Sequence, residues 1–251
     1  MKIKQNLPNA ITCGNLFCGC IASVMAFKGD LLMSAVFVGL AALLDFFDGF
    51  LARLLGVSSP IGKDLDSLAD MVTFGFIPGV TMFQLLNLAA VYQSLENKNV
   101  AFLELWAGYN QPTLMSYLGF IITIFSCIRL ARFNNDSRQS DSFIGLPTPA
   151  NTIFICSLPL VLYFYPAQMG LLQPWILLLI IGIMSYLLIA ELPLFALKFK
   201  SFAWKKNQLR YAFLISSVIL LIALQFLAIP LVILLYLLLS IVDNIFLKKE
   251  V

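Results

Sequence analysis

Residues Leu31 to Leu55 read LLMSAVFVGLAALLDFFDGFLARLL. A helix of that length rises about 37 Å, enough to cross a hydrocarbon core of roughly 30 Å. Its first half is apolar or small throughout, so this stretch is predicted to be a transmembrane helix. Asp45, Asp48 and Arg53 gather at its far end.

Comparable apolar segments lie on both sides of it. They run approximately Leu7–Phe27, Asp66–Leu88, Thr113–Phe133, Ala150–Tyr165, Trp175–Phe195, Tyr211–Ile229 and Leu231–Phe246. With Leu31–Leu55 they make about eight predicted spans, the last two forming a hairpin broken at Pro230. The whole chain agrees with this reading: its 251 residues are 61% hydrophobic and 12% charged, against roughly 25% charged in soluble domains. No polar interval is long enough to bury a core of its own. The expected fold is therefore all-α, a polytopic membrane helix bundle forming one membrane domain over residues 1–251. The first segment follows Lys2 and Lys4 as a signal peptide would. Its interior Asn9, Thr12 and Asn15, and the absence of a clear small-residue cleavage site, predict that it is retained as a span.

Charge sets the expected orientation. If both ends of the chain face the cytoplasm, that side collects every basic residue of the sixteen except Lys28 and Lys98, a strong positive-inside bias. The chain is then a multi-pass protein of the cell membrane, with Asp45 and Asp48 on the cytoplasmic side. The basic run from Lys198 to Arg210 serves as an orientation signal and can also meet anionic lipid headgroups. A net charge of +3 spread over loops in this way gives no reason to expect nucleic acid.

Composition excludes much chemistry. The chain has no histidine, so Ser/His/Asp and Cys/His triads and H-E-x-x-H zinc sites are ruled out. Its five cysteines, Cys13, Cys18, Cys20, Cys127 and Cys156, lie in apolar stretches without C-x-x-C spacing and read as packing residues.

The carboxylates remain. Ionisable residues within spans are expensive and point to function by default. Asp45 and Asp48 stand about 60° apart on a helix, with Gly49 and Ala52 on the same face, and Asp66 and Asp70 stand about 40° apart on the next. Four carboxylates brought together repel, and oxygen-rich sites suit Mg²⁺, Mn²⁺ or Ca²⁺. Two such ions would form the clamp that stabilises attacking and leaving oxygens in phosphoryl displacement. Gly49, Ala52 and Gly62 leave room on that face, either for a neighbouring helix or for a bulky ligand such as a nucleotide. A transporter also binds ions through intramembrane carboxylates. Its site would lie near the midplane between repeated halves, whereas these carboxylates gather at one end and the pattern has no second copy.

The array Asp45-x-x-Asp48-Gly49-x-x-Ala52-Arg53, eight residues, then Gly62-x-x-x-Asp66-x-x-x-Asp70 resembles without departure the signature of the CDP-alcohol phosphatidyltransferase family. The resemblance implies a membrane enzyme with a six-helix core, here residues 7–196, that is usually a homodimer. It also implies transfer from a CDP-activated lipid to an alcohol with release of CMP. The hairpin at 211–247 lies beyond that core. Three more stretches, Leu7 to Gly19, Asp66 to Gly75, and Arg129 to Asn134 with Phe143 to Ala150, are similar to the serine-using branch of the family. They imply CDP-diacylglycerol as donor and L-serine as acceptor; glycerol phosphate or inositol phosphate is the alternative acceptor.

By the same resemblance Asp45, Asp48, Asp66 and Asp70 would hold two divalent ions, Mg²⁺ or Mn²⁺, in sites that Ca²⁺ can also occupy. Asp70 would in addition deprotonate the acceptor hydroxyl. Thr12, Asp45, Gly49, Ala52, Arg53 and Gly62 would surround the nucleotide. Because the acceptor carries a carboxylate, Arg129 and Arg132 are candidates to bind it or the diphosphate, with Lys63 as a further cation.

Overall fold

The computed structural model describes residues 2–57, 59–95, 101–108, 112–136, 143–195 and 207–244. The chain opens with two helices, α1 (Lys2–Phe27) and α2 (Leu31–Leu55), packed against each other along their lengths. The turn between them uses Gly29 at φ 87°, a conformation that costs glycine little. Asp30 then caps α2, accepting the Met33 N–H at 2.9 Å.

Gly56 ends α2 in the left-handed conformation, its N–H on the Ala52 and Arg53 carbonyls. Ser59 starts α3 (Pro60–Asp70) by accepting the Gly62 N–H at 3.0 Å, with Pro60 in the first turn. A π-turn (Met71–Phe76) joins α3 directly to α4 (Ile77–Ser94), so one helical run extends from Pro60 to Ser94.

The π-turn has a local cause. Pro78 has no N–H, and its ring collides with the carbonyl four residues back. One extra residue per turn relieves that collision. The Phe74 carbonyl, which Pro78 cannot serve, receives the Thr152 hydroxyl at 2.8 Å.

Helix α4 is the hub of the bundle. From Ile77 to Ala89 every residue is buried, which explains why it is apolar all round rather than on one stripe. It packs against a 3₁₀ segment (Leu114–Phe120) leading into α5 (Ile121–Asn135), and against α6 (Thr148–Phe164) and α7 (Pro174–Ile189). Gly79 and Gly119 permit the closest approach: a Cβ on Gly119 would lie 2.9 Å from the Met82 carbonyl carbon and 3.0 Å from Gly79 O.

Two structural details differ from the sequence expectation. The sixth span was expected to reach Phe195, yet α7 stops at Ile189. Pro193 disfavours helix in the residue before it, and Pro193–Leu194 (β2) instead pairs antiparallel with Phe143–Ile144 (β1). The last break was expected at Pro230. It falls at the 3₁₀ turn Gln225–Leu227, between α8 (Gln208–Leu224) and α9 (Ala228–Val242), with Gln225 at φ 48°. Pro230 lies in the first turn of α9, where its missing N–H is tolerated.

Helices α8 and α9 pack on each other, and α9 reaches back to β2. Tyr236 donates to Phe195 O at 3.0 Å and Asn244 donates to Pro193 O. The Phe195, Phe213 and Tyr236 rings form a buried triad.

Among the described residues, five runs are long and apolar enough to cross a membrane: Asn6–Phe27, Leu31–Leu55, Pro60–Ser94, Leu114–Asn135 and Gln208–Val242. The last contains both α8 and α9, and α6 and α7 are shorter apolar helices. Large apolar side chains such as Phe17, Leu114, Trp175 and Ile222 point outward, as lipid contact requires. The molecule is a polytopic membrane helix bundle. Of the basic residues used to orient it, Lys98, Arg138, Lys198, Lys200, Lys205, Lys206, Lys248 and Lys249 lie outside the described residues.

Candidate active site

The site is assembled where α2 ends and α3 begins. The left-handed stop at Gly56 and the Ser59 cap turn the chain so that both acidic stripes face each other. Carboxylate oxygens of Asp45, Asp48 and Asp66 all lie within 4.8 Å of one another. Asp70, one turn beyond Asp66, brings its carboxyl into contact with that of Asp45. Charges so close and partly withdrawn from water require a positive counterpart. An all-oxygen set of this kind fits a hard divalent cation, and this trio could hold a metal ion.

Helix α1 supplies the polar support. Thr12, 4% exposed, lies with its hydroxyl 2.6 Å from Asp48 Oδ2 and 3.1 Å from Pro8 O. Asn15 is fully buried and donates its amide to Asp70 Oδ1 at 3.4 Å. Its side-chain oxygen has no partner among the described residues. α1 approaches this closely because Gly19 is small: a Cβ there would collide with the Thr73 hydroxyl.

Beside the aspartates opens a cleft of about 280 Å³, near the lower end of ligand pockets at roughly 300 Å³. Thr12, Asp48, Gly49, Ala52, Gly62, Lys63 and Asp66 belong to its walls, and Pro8, Asn9, Val57 and Ser59 complete them. Gly49 faces open space; the nearest atoms to a Cβ there would be the Arg53 guanidinium nitrogens at 3.8 and 3.9 Å. At Gly62 a Cβ would stand 3.0 Å from both Asn9 Oδ1 and Ser59 Oγ.

The candidate cations take separate positions. Lys63 lines the cleft and donates to Asn134 O at 2.8 Å, tying α3 to the end of α5. Arg129 is buried and stacked 4.8 Å over the Phe133 ring, within electrostatic reach of Asp70. Arg132 is exposed and reaches Ile189 O at 3.3 Å. Arg53 was expected beside the nucleotide. It is exposed; it is not itself a cleft wall, but it lies one turn from Gly49, which is, and its guanidinium is the group nearest to that glycine.

Several buried polar groups were not singled out from the sequence: Ser126, Thr148 and Asn151 each have side-chain atoms without partners among the described residues. Ser59, an exposed cleft wall, was not singled out either. Thr148 lies inside the quoted stretch Phe143 to Ala150 and Asn151 directly follows it, and their helical spacing was the available signal.

The acidic, metal-competent cluster and the cleft adjoining it thus lie together in a helical membrane bundle. The chain belongs to the CDP-alcohol phosphatidyltransferase family, whose model matches residues 5–189. Curated relatives agree. The chain is 31% identical over 150 residues to the CDP-diacylglycerol--serine O-phosphatidyltransferase of Helicobacter pylori (strain J99), covering 59% of this chain and 54% of that one. It is 30% identical over 143 residues to the protein of the same name from Bacillus subtilis (strain 168), covering 57% and 69%. The archaetidylserine synthase of Methanothermobacter thermautotrophicus is 26% identical over 153 residues, covering 60% and 56%. The chain thus spans little more than half the length of the Helicobacter and Methanothermobacter relatives it matches.

Proposed function

We propose that this protein is a phosphatidylserine synthase, transferring the phosphatidyl group of CDP-diacylglycerol to the hydroxyl of L-serine and releasing CMP. The observation that carries the reaction class is the meeting of Asp45, Asp48 and Asp66 oxygens within 4.8 Å beside an open cleft. The choice of serine rests on the names of relatives across bacteria and an archaeon.

Two divalent ions, Mg²⁺ or Mn²⁺, held by Asp45, Asp48, Asp66 and Asp70 would supply positive charge for the diphosphate and the departing CMP. The residues of the chain do the rest. Gly49, Ala52 and Gly62 leave the cleft wall bare for the nucleotide, and Lys63 meets phosphate there. Thr12 holds the Asp48 carboxylate in one orientation. Asp70 takes the proton of the serine hydroxyl as its oxygen attacks the β-phosphorus. The new ester bond forms as the bond to the CMP oxygen breaks, with no covalent enzyme intermediate. The charge bias supports a site facing the cytoplasm, and family resemblance supports a homodimer in the cell membrane.

The deciding experiment supplies labelled serine and CDP-diacylglycerol to membranes containing the protein, with Mg²⁺ or Mn²⁺ and with chelator. Label entering the lipid phase with stoichiometric CMP, abolished by chelator and restored by metal, is the expected result. CMP release with glycerol phosphate or inositol phosphate but not serine would replace the acceptor. No CMP release with any alcohol would overturn the reading.

A further inference from the structure

Helices α8 and α9 supply none of the cleft walls and none of the clustered aspartates. They are nevertheless tied to the site through backbone carbonyls. Residues 187–195, the end of α7 with β2, offer their carbonyls in two directions. On one side Leu187 O accepts the Leu146 N–H at 2.8 Å, Leu192 O accepts the Gly145 N–H at 2.9 Å, and Ile189 O accepts the Arg132 guanidinium at 3.3 Å. On the other, Phe195 O accepts the Tyr236 hydroxyl at 3.0 Å and Pro193 O accepts the Asn244 amide. A chain leaving a helix has carbonyls that need donors. Here the donors come from α5, from the approach to α6 and from α9 together.

The fit on both sides is close. Gly145 adopts φ 75°, and a Cβ there would stand 2.8 Å from Leu188 O and 3.0 Å from Ala190 O, so glycine lets the chain entering α6 lie directly against the end of α7. Tyr236 is buried, with its ring 5.0 Å from that of Phe195 and 5.7 Å from that of Phe213. Those contacts hold its hydroxyl on the Phe195 carbonyl.

The partners on the first side lead to the aspartates. Both α5 and α6 touch the π-turn that directly follows Asp70. From α5, Ser126 Cβ would lie 3.4 Å from a Cβ on Gly75, and from α6, Thr152 donates to Phe74 O at 2.8 Å. We propose that Tyr236 and Asn244 are positioning residues of the reaction: by holding residues 187–195, α9 fixes the last turn of α5 and the start of α6, and these fix the π-turn and so the direction in which Asp70 points. The hairpin then serves the chemistry without touching substrate. Its other attachment provides a contrast. Tyr165 donates to Leu224 O at 2.7 Å and Phe164 stacks on Phe226 at 4.4 Å, which binds the hairpin turn to the end of α6 remote from Asp70.

The test compares Tyr236→Phe, Asn244→Ala and Tyr165→Phe in the full chain. Tyr236→Phe removes the hydroxyl and keeps the ring. Its kcat for CMP release should fall about three- to tenfold, the effect of one hydrogen bond, with KM for both substrates close to wild type. Tyr165→Phe loses a bond of the same kind and should lower the melting temperature to a similar extent while keeping kcat. The kinetic part rests on the role proposed above for Asp70, which wild-type CMP release and Asp70→Asn test by themselves. Hydrogen exchange reads the positioning without turnover: the peptide spanning residues 143–150 should exchange faster in Tyr236→Phe and not in Tyr165→Phe. Equal kcat losses in those two variants would reduce the effect to general destabilisation and overturn the proposal. So would unchanged exchange over residues 143–150, or wild-type kcat, in Tyr236→Phe. If Tyr236→Phe does not fold, Asn244→Ala carries the same comparison.

Discussion

The hydroxyl of Thr12 lies 2.6 Å from Asp48 Oδ2, joining two residues thirty-six positions apart across the α1 and α2 helices. Both are almost completely buried. The contact fixes which carboxylate oxygen of Asp48 remains free for the cleft, so the first helix helps to order an acidic site carried by the second and third.

Thr12→Val should therefore weaken the site without dismantling the bundle. A hydrogen bond to a charged group contributes about 1.5–3 kcal/mol, so kcat/KM should fall roughly 10- to 100-fold. The metal concentration giving half-maximal CMP release should rise. Thr12→Ser, which keeps the hydroxyl, should retain most activity.

Asp70→Asn keeps the shape of the side chain and its contact with Asn15 while removing the base and a metal-binding oxygen. CMP release should fall by about 10³-fold or more, within the range for loss of a general base and its charge. Elution of the detergent-solubilised variant should match wild type. Near-normal turnover would remove Asp70 from the chemistry.

Two glycines separate a steric effect on the protein from one on its ligand. Gly49→Ala meets nothing nearer than 3.8 Å in the protein, whereas Gly62→Ala presses on Asn9 and Ser59 at 3.0 Å. Gly49→Ala should leave the melting temperature unchanged and raise KM for CDP-diacylglycerol. Gly62→Ala should lower both melting temperature and activity. An unchanged KM in Gly49→Ala would remove that residue from the nucleotide wall.

Thr152→Val withdraws the donor that serves the Phe74 carbonyl. Leaving a buried acceptor unpaired costs about 1–3 kcal/mol, so thermal unfolding in detergent should begin several degrees lower. Pro78→Ala restores a backbone N–H next to the π-turn, and the double variant should lose less than the sum of the two single ones. Strict additivity would separate Thr152 from the effect of Pro78.

Much of this was legible before any coordinates. The spans follow from runs of apolar residues, and the facing of Asp45, Asp48 and Asp66 follows from helical spacing plus a short connection. Other features depend on contacts between distant segments. Pro78 announces a disturbed helix, but whether it kinks or bulges depends on Thr152, seventy-four residues away. In the last apolar run Pro230 was the stronger punctuation mark, and Gln225, an amide amid aliphatic residues, was the better clue to the turn. Asn151 resembled any polar residue at a helix start until its burial and empty hydrogen-bonding positions were visible.

The aspartates occupy one end of the bundle rather than its middle, and that placement gives the reaction a direction. In the proposed reaction each phosphatidylserine replaces one CDP-diacylglycerol in the leaflet next to the site, so the number of lipids there stays constant while the headgroup changes. The opposite leaflet would acquire the new headgroup only as fast as lipids cross.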